Sequence, residues 1–250
     1  MSGIISKNPT APVVGEEPKV PMQRRNFLRY TGAGLAATGL ILAGCNDNLE
    51  EVAPATQDAS ASNPVNVGSS DLGILNYAYA LEQLEAAFYA NVILSPYYAS
   101  ASAAERQVLA DIEAHEKLHA NFFRQAIKAL GGNPIRRLIP NFTSVNFSDR
   151  ASVLGTAKAF EDLGVAAYNG AGKLITSPDY LTIAGKVVSV EARHAAIIRD
   201  LLQNGSFVGP DVVNDANGLE ISKSPVQVAV IANMFLLPGS KINVSNLPTS

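Results

Sequence analysis

Cysteine is nearly absent from this chain. Its 250 residues include one cysteine, Cys45. A single thiol excludes a disulfide within the chain and a metal site built from several cysteines. Any metal site must therefore use other donors.

Basic clusters and long apolar runs are also missing. The chain has 19 Lys and Arg against 22 Asp and Glu, a formal net charge of −3. No basic patch stands out, which argues against a nucleic-acid partner because phosphate backbones require clustered Lys and Arg. The Gly- and Ala-rich apolar run 31–43 is too short and too weakly hydrophobic to span a membrane.

Residues 1–45 are expected to be an export signal. Arg24-Arg25-Asn26-Phe27-Leu28-Arg29 matches a twin-arginine signal, and Leu42-Ala43-Gly44-Cys45 resembles a bacterial lipobox. Cys45 would be lipidated and become the mature N-terminus, so only a lipid would attach the protein to a membrane. The predicted location is the periplasm or the cell envelope. The twin-arginine route carries folded proteins, which suits a protein loaded with metal before export.

The mature chain is long enough for one domain. Removing residues 1–44 leaves 206 residues with 14 basic and 20 acidic side chains, a net charge of −6. Residues 46–69 are rich in Ala, Ser, Asn, Pro and Asp, and are predicted to be a flexible tether. Residues 70–204 form the predicted domain, and 205–250 a C-terminal extension.

The domain reads as four long helices. The predicted helices are about 71–94, 103–130, 149–175 and 178–204, with Ser102 and Ser177 as caps and Gly131-Gly132 as a stop. The connection 131–148 has no clear periodicity and fits the single crossover of some four-helix bundles. In the extension, 206–224 reads as loop, 226–237 as a short helix, and the tail from Pro238 as extended or irregular.

Two Glu-x-x-His motifs carry the chemistry. Glu116-Lys117-Leu118-His119 and Glu191-Ala192-Arg193-His194 each place a carboxylate and an imidazole one turn apart on a helix. A bundle that binds two metal ions requires two such helices and one inward Glu from each of the others. Glu82 and Glu161 precede the motifs by 34 and 30 residues.

The order Glu, Tyr, Glu-x-x-His occurs twice in the chain, which strengthens the prediction of a metal site. Tyr89 follows Glu82 by seven residues, and Tyr168 follows Glu161 by the same distance, so each Tyr lies on the stripe of its Glu. A single motif arises often by chance on helix surfaces. Two copies with matching upstream pairs favour a shared dimetal site, with a bundle that has lost its metal as the alternative.

The sequence resembles the ferritin-like superfamily, and within it the family that includes plant desiccation-related proteins and many bacterial envelope proteins. The resemblance covers roughly 70–204 and implies an all-α, ferritin-like four-helix bundle. It rests on Ala80-Leu81-Glu82-Gln83-Leu84-Glu85-Ala86-Ala87-Phe88-Tyr89, His115-Glu116-Lys117-Leu118-His119 with Phe122-Phe123, Gly164-Val165-Ala166-Ala167-Tyr168, and Val190-Glu191-Ala192-Arg193-His194-Ala195-Ala196.

Four carboxylates and two imidazoles form a hard donor set that suits two Fe or Mn ions. Glu116 and Glu191 are expected to bridge or chelate both ions. The expected remaining ligands are one imidazole for each ion and two terminal carboxylates: His119, His194, Glu82 and Glu161.

Several neighbouring side chains have open roles. Glu85 is a seventh ligand, a hydrogen-bond partner behind the ligands, or a solvated residue, and the last two are favoured. Tyr89 and Tyr168 donate hydrogen bonds to ligands or relay electrons, or they fill space beside a cavity. His115 points about 100° away from Glu116, which favours an exposed or supporting position.

The resemblance implies redox chemistry on a small oxidant, peroxide or dioxygen, in envelope stress defence. The chain lacks a rubredoxin-like Cys-x-x-Cys pair, which favours catalase-like disproportionation, ferroxidase chemistry or an external electron donor. The alternative is a non-enzymatic, metal-binding or structural stress protein of the desiccation type. A third is an interaction scaffold with a vestigial site. A homo-oligomer is compatible with the sequence, but a storage cage is disfavoured by the tether and extension.

Overall fold

The structure is a computed structural model that describes residues 63–249. The predicted export signal, the lipidation site Cys45 and most of the predicted tether lie outside the described residues. Those interpretations stay predictions. None of the described helices combines the length and the apolar character needed to cross a bilayer.

Four long helices form the bundle, and the predicted all-α fold is confirmed. A five-residue helix, which the sequence analysis missed, lies between the first two. The helices up to residue 202 are α1 (Ser70–Val92), α2 (Pro96–Ser100), α3 (Ala103–Ala129), α4 (Arg150–Gly172) and α5 (Pro178–Leu202).

Local signals set the helix ends. The side chains of Ser102, Asp149 and Ser177 each accept a hydrogen bond from the backbone amide three residues later, which begins α3, α4 and α5. Gly131 follows α3 with φ of +75°, a conformation that glycine adopts without a steric penalty. The predicted boundaries of the long helices therefore agree with the structure to within a few residues.

The bundle consists of two helical hairpins. Helix α1 packs mainly against α3, and α4 packs mainly against α5. The connection between α3 and α4 lies along α1, where Asn76 accepts a hydrogen bond from the amide of Ile135 at 2.9 Å and Gln83 accepts one from Leu138 at 2.9 Å. The two amides are thus satisfied by α1, although the connection has no helix of its own.

The C-terminal extension is part of the domain. Helix α6 (Pro225–Ala232) contacts α1 and α4, and Val228 and Ala232 are fully buried. The backbone before α6 lies directly on α4, where Lys223 N–H donates to Ala166 O at 2.9 Å. A Cβ at Gly170 would overlap the Lys223 carbonyl, so this approach requires glycine.

Four two-residue strands lie outside the bundle, and two of them fall in 206–224, which was predicted to be loop. Strand β1 (Val65–Asn66) pairs in parallel with β4 (Ile242–Asn243), and β2 (Val213–Asn214) pairs antiparallel with β3 (Leu219–Glu220). The last residues of the segment expected to be a flexible tether, 46–69, are thus attached to the fold. The reason is burial, since Val65 and Val67 are 6% and 1% exposed.

A cluster of four charged residues attaches the extension to α4 and α5; we call it the arginine cluster (Arg199, Asp162, Asp211, Lys158). Arg199 Nη2 lies 2.7 Å from Asp162 Oδ2 and 2.8 Å from Asp211 Oδ2. Lys158 Nζ lies 3.1 Å from the same Asp211 oxygen. These contacts raise the pKa of Arg199 and hold the pKa of Asp211 well below its usual range.

Candidate metal centre

The two hairpins bring six predicted site residues together in the bundle core. We call this group the carboxylate centre (Glu82, Glu116, His119, Glu161, Glu191, His194). All four of its glutamates are 0% exposed, His194 is buried, and the His119 side chain is 14% exposed. Each long helix contributes at least one of these residues, because the Glu and His positions face the interior of the bundle.

The donor atoms form two groups of four, each with its members within 4.8 Å of one another. In the first, His119 Nδ1 lies 2.8 Å from Glu191 Oε1, 3.4 Å from Glu82 Oε2 and 3.6 Å from Glu116 Oε2. In the second, His194 Nδ1 lies 2.8 Å from Glu116 Oε1, 3.6 Å from Glu161 Oε2 and 3.9 Å from Glu191 Oε2.

Glu116 and Glu191 belong to both groups. Each directs one carboxylate oxygen to His119 and the other to His194. A carboxylate in this arrangement could bridge two ions, one in each group. Glu82 and Glu161 each belong to one group, as a terminal ligand would.

The tyrosines bind the carboxylates of the opposite hairpin. Tyr89 Oη donates a hydrogen bond to Glu161 Oε1 at 2.6 Å, and Tyr168 Oη donates one to Glu82 Oε1. The other oxygen of each glutamate faces the centre. The sequence analysis considered such hydrogen bonds but not this crossing between hairpins, because spacing along one helix does not show which partner faces it.

The donor set fits metal ions. Eight buried donor atoms of the centre make no hydrogen bond of good geometry within the described residues, although each imidazole Nδ1 lies 2.8 Å from one carboxylate oxygen. They are Glu82 Oε2, both oxygens of Glu116 and Glu191, Glu161 Oε2, and Nδ1 of His119 and His194. A buried polar atom without a partner costs about 1–3 kcal/mol, so eight that converge would be expensive unless another group satisfied them. Two cations would supply that partner and balance four carboxylates.

The electrostatics of the metal-free protein show the same deficit of positive charge. Burial raises the pKa of Glu82 to about 7. Burial and the neighbouring carboxylates also raise the pKa of Glu191 well above its usual range. Burial opposes ionisation of Glu116, but contacts with both imidazoles outweigh it and lower its pKa to about 2. Burial also disfavours charged His194, but its carboxylate contacts raise the pKa to about 10.

Glu85 is buried beside the centre but belongs to neither four-donor group. The solvated position considered for it is therefore wrong. A Cβ at position 164 would lie 3.1 Å from Glu85 Oε1 and 3.7 Å from Glu191 Oε2, so Gly164 leaves the space that the Glu85 carboxylate occupies. Burial, followed by repulsion from Glu191 and the other carboxylates, raises its pKa well above the usual range.

The family of this chain follows from a comparison with known protein families. Residues 70–204, just over half of the chain, match the ferritin-like domain. The chain belongs to the ferritin-like domain family. A search of curated proteins finds no match. The match covers α1 to α5 of this ferritin-like protein and leaves α6 and the flanking strands as additions to the bundle.

A small apolar cavity in this ferritin-like protein is lined in part by Tyr168, whose hydroxyl donates to Glu82, but by none of the six residues of the carboxylate centre. Its volume is about 30 Å³, and its walls include Tyr77, Ala78, Phe123 and Ala167. A volume of about 10–15 Å³ on this measure holds one water molecule. The cavity therefore accepts a molecule of only a few atoms.

Proposed function

We propose that this ferritin-like protein holds two Fe or Mn ions in the carboxylate centre and performs redox chemistry on peroxide or dioxygen in envelope stress defence. The observation that carries the proposal is the convergence of eight unpaired buried donor atoms into two groups that share Glu116 and Glu191. Two adjacent redox ions with an open coordination position can bind and reduce a small oxidant.

The protein side chains would hold and orient the site. The hydroxyls of Tyr89 and Tyr168 fix one oxygen of each terminal glutamate and leave the other directed at the centre. The raised pKa of Glu85, which lies beside Gly164 and Glu191, favours its neutral form there. The oxygen-rich donor set favours Fe or Mn over ions that prefer thiolates.

The proposed cellular setting follows from the N-terminal sequence. The Arg24-Arg25 motif would direct export of the folded protein, and lipidated Cys45 would attach it to a membrane. The electron source would be an external donor, or none if peroxide is disproportionated, because the only cysteine is at the proposed lipidation site.

The test is the metal content of the folded protein together with its turnover of peroxide and dioxygen. We expect about two Fe or Mn per chain. Glu191→Ala is expected to lose both ions and His119→Ala one of them, because Glu191 belongs to both donor groups and His119 to one. Both variants are expected to lose turnover but keep the fold. Glu113→Ala is the matched control, because Glu113 lies one turn before Glu116 on α3 and pairs with Lys117 outside the centre.

Other outcomes contradict the proposal in different ways. Two bound metal ions without turnover would replace the redox role with non-enzymatic metal binding. Full turnover in both centre variants would show that the reaction occurs elsewhere. A protein that takes up no metal on reconstitution would be a structural bundle.

A further inference from the structure

His115, the one histidine of the chain outside the carboxylate centre, contacts a histidine of that centre. His115 Nδ1 lies 2.9 Å from His194 Nε2, and the two rings are nearly parallel, with 14° between their planes and 5.2 Å between their centroids. His115 is exposed, whereas His194 is buried. Two ring nitrogens at this distance form a hydrogen bond only if one carries a proton and the other does not.

The position of His194 determines the direction of that hydrogen bond in a metal-bound protein. Its Nδ1 faces Glu116 and Glu161 and belongs to the second group of donors. To bind a cation, Nδ1 must carry the lone pair, so the ring proton must be on Nε2. His194 Nε2–H then donates to His115 Nδ1, and this bond fixes both the tautomer and the ring orientation.

His119 is held differently. Its ring lies 6.2 Å from the His194 ring at a tilt of 32°, and it has no partner like His115 among the residues that the structure describes. Its side chain is also more exposed, 14% against 5% for His194. The two donor groups have the same composition, but only one imidazole is held by a second ring.

We propose that His115 is a positioning residue for His194, and that its hydrogen bond makes the Glu161–His194 position the tighter of the two metal positions. The Glu82–His119 position is then the one that exchanges its ion more readily. This inference rests on the proposed dimetal site. An exposed residue outside the ligand set would then cause the difference in metal affinity between two positions with the same types of donor.

The experiment measures Mn²⁺ binding to the full-length, metal-free protein by competition with a chelator. His115→Phe keeps a flat ring but removes the acceptor. His115→Asn keeps an acceptor close to the position of Nδ1 but removes the ring. Ala114→Asn is the control for a substitution at the adjacent exposed position of α3. His115→Leu repeats the test with a smaller side chain if the Phe variant does not fold.

The wild type is expected to bind two Mn²⁺ with different affinities, and His119→Ala to remove the weaker site. His115→Phe is expected to weaken the tighter site about 10- to 100-fold and leave the weaker one unchanged. His115→Asn and Ala114→Asn are expected to stay within about threefold of the wild type. In the Zn²⁺-loaded wild type, the NMR signals of His194 are expected to be those of the Nε2–H tautomer.

Three results would overturn the inference while leaving the dimetal site intact: unchanged binding in His115→Phe, equal loss in His115→Asn, or loss of the tighter site in His119→Ala. The first would show that the bond has no effect on affinity, and the second would assign the effect to ring packing. A wild type that binds no Mn²⁺ would remove the proposed function and this inference together.

Discussion

Two clusters of charged residues lie in this domain, and they differ in how their charges are compensated. In the arginine cluster, two cations face two carboxylates, and Arg199 bonds both Asp162 and Asp211 through its guanidinium nitrogens. In the carboxylate centre, four glutamates face two imidazoles, and eight donor atoms have no hydrogen-bond partner among the described residues. The first cluster is complete as it stands, whereas the second requires positive charge from outside the chain.

The contrast separates a structural ion network from a candidate metal site. Both clusters include side chains of α4 and α5, so the helices that carry them do not distinguish the two clusters. The two clusters differ instead in that the carboxylate centre contains converging acceptors without hydrogen-bond partners. Experiments that alter the charge of one cluster and leave the other intact therefore test the assignment.

Raising the pH is expected to have the largest effect. In the metal-free protein the pKa of Glu82 is about 7 and that of His194 about 10, both above their values in the unfolded chain. The folded state therefore binds more protons than the unfolded state between about pH 5 and pH 10, and stability falls as the pH rises. From about pH 6 to pH 8 these two groups alone are expected to cost about 1.4 kcal/mol per unit, close to one proton. The raised pKa values of Glu85 and Glu191 add to this loss.

Denaturant unfolding of the metal-free protein at several pH values measures this slope. Bound metal is expected to reverse the trend, because ligands must lose protons to bind it and affinity therefore rises with pH. The arginine cluster should not contribute, since Arg199 stays protonated and Asp211 stays ionised over this range. Metal-free stability that increased between pH 6 and pH 8 would contradict the account of the centre.

Removing Arg199 is expected to have the second largest effect. Arg199→Met would leave Asp162 and Asp211 facing each other with only Lys158 as a partner. A fully buried pair broken in this way costs about 3–5 kcal/mol, but both aspartates are partly exposed, so we expect about 2 kcal/mol. Asp211→Ala is the matched control and should cost less than about 1 kcal/mol, because that side chain is 55% exposed.

Chemical unfolding at neutral pH compares these two variants. Equal losses would show that the guanidinium is not the centre of the network. Metal content should be unchanged in both variants, since neither residue belongs to the carboxylate centre.

The smallest effect on the metal-free fold is expected from Glu191→Gln. Burial and neighbouring carboxylates raise the pKa of Glu191 well above its usual range, which favours its neutral form in the metal-free protein. Glutamine has nearly the same shape and no charge, and we expect the free energy of unfolding to change by less than about 1 kcal/mol.

The stabilisation that Mn²⁺ adds to the wild type should disappear in this variant, since Glu191 faces both donor groups. Thermal melts with and without Mn²⁺ measure both quantities, and retained stabilisation by Mn²⁺ would exclude a bridging role for Glu191.

Much of the fold could be predicted because its signals are local. The caps at Ser102, Asp149 and Ser177 act on amides three residues away, and Glu-x-x-His places two side chains one turn apart. The inward carboxylates follow from the same helical period. The sequence analysis therefore selected the six residues that the structure brings together, although their binding of metal stays a prediction.

The features that were missed depend on contacts between distant parts of the chain. Arg199 reaches Asp162 on another helix and Asp211 in the extension, and no spacing in the sequence marks that arrangement. Strand β1 has two residues and pairs with a partner far along the chain, so it has no periodicity to detect. The contact between His115 and His194 joins α3 to α5. The sequence indicated an exposed or supporting position for His115 from its place next to the first motif, but not its partner on another helix.

The crossed tyrosine bonds show how such a domain could be assembled. Tyr89 of the first hairpin holds Glu161 of the second, and Tyr168 of the second holds Glu82 of the first. A single hairpin with Glu, Tyr and Glu-x-x-His would contain every type of side chain in the centre and could complete it by pairing with an identical copy. The domain is thus what gene duplication and fusion of a self-associating ancestor would produce, with 131–148 as the segment that joined the two copies.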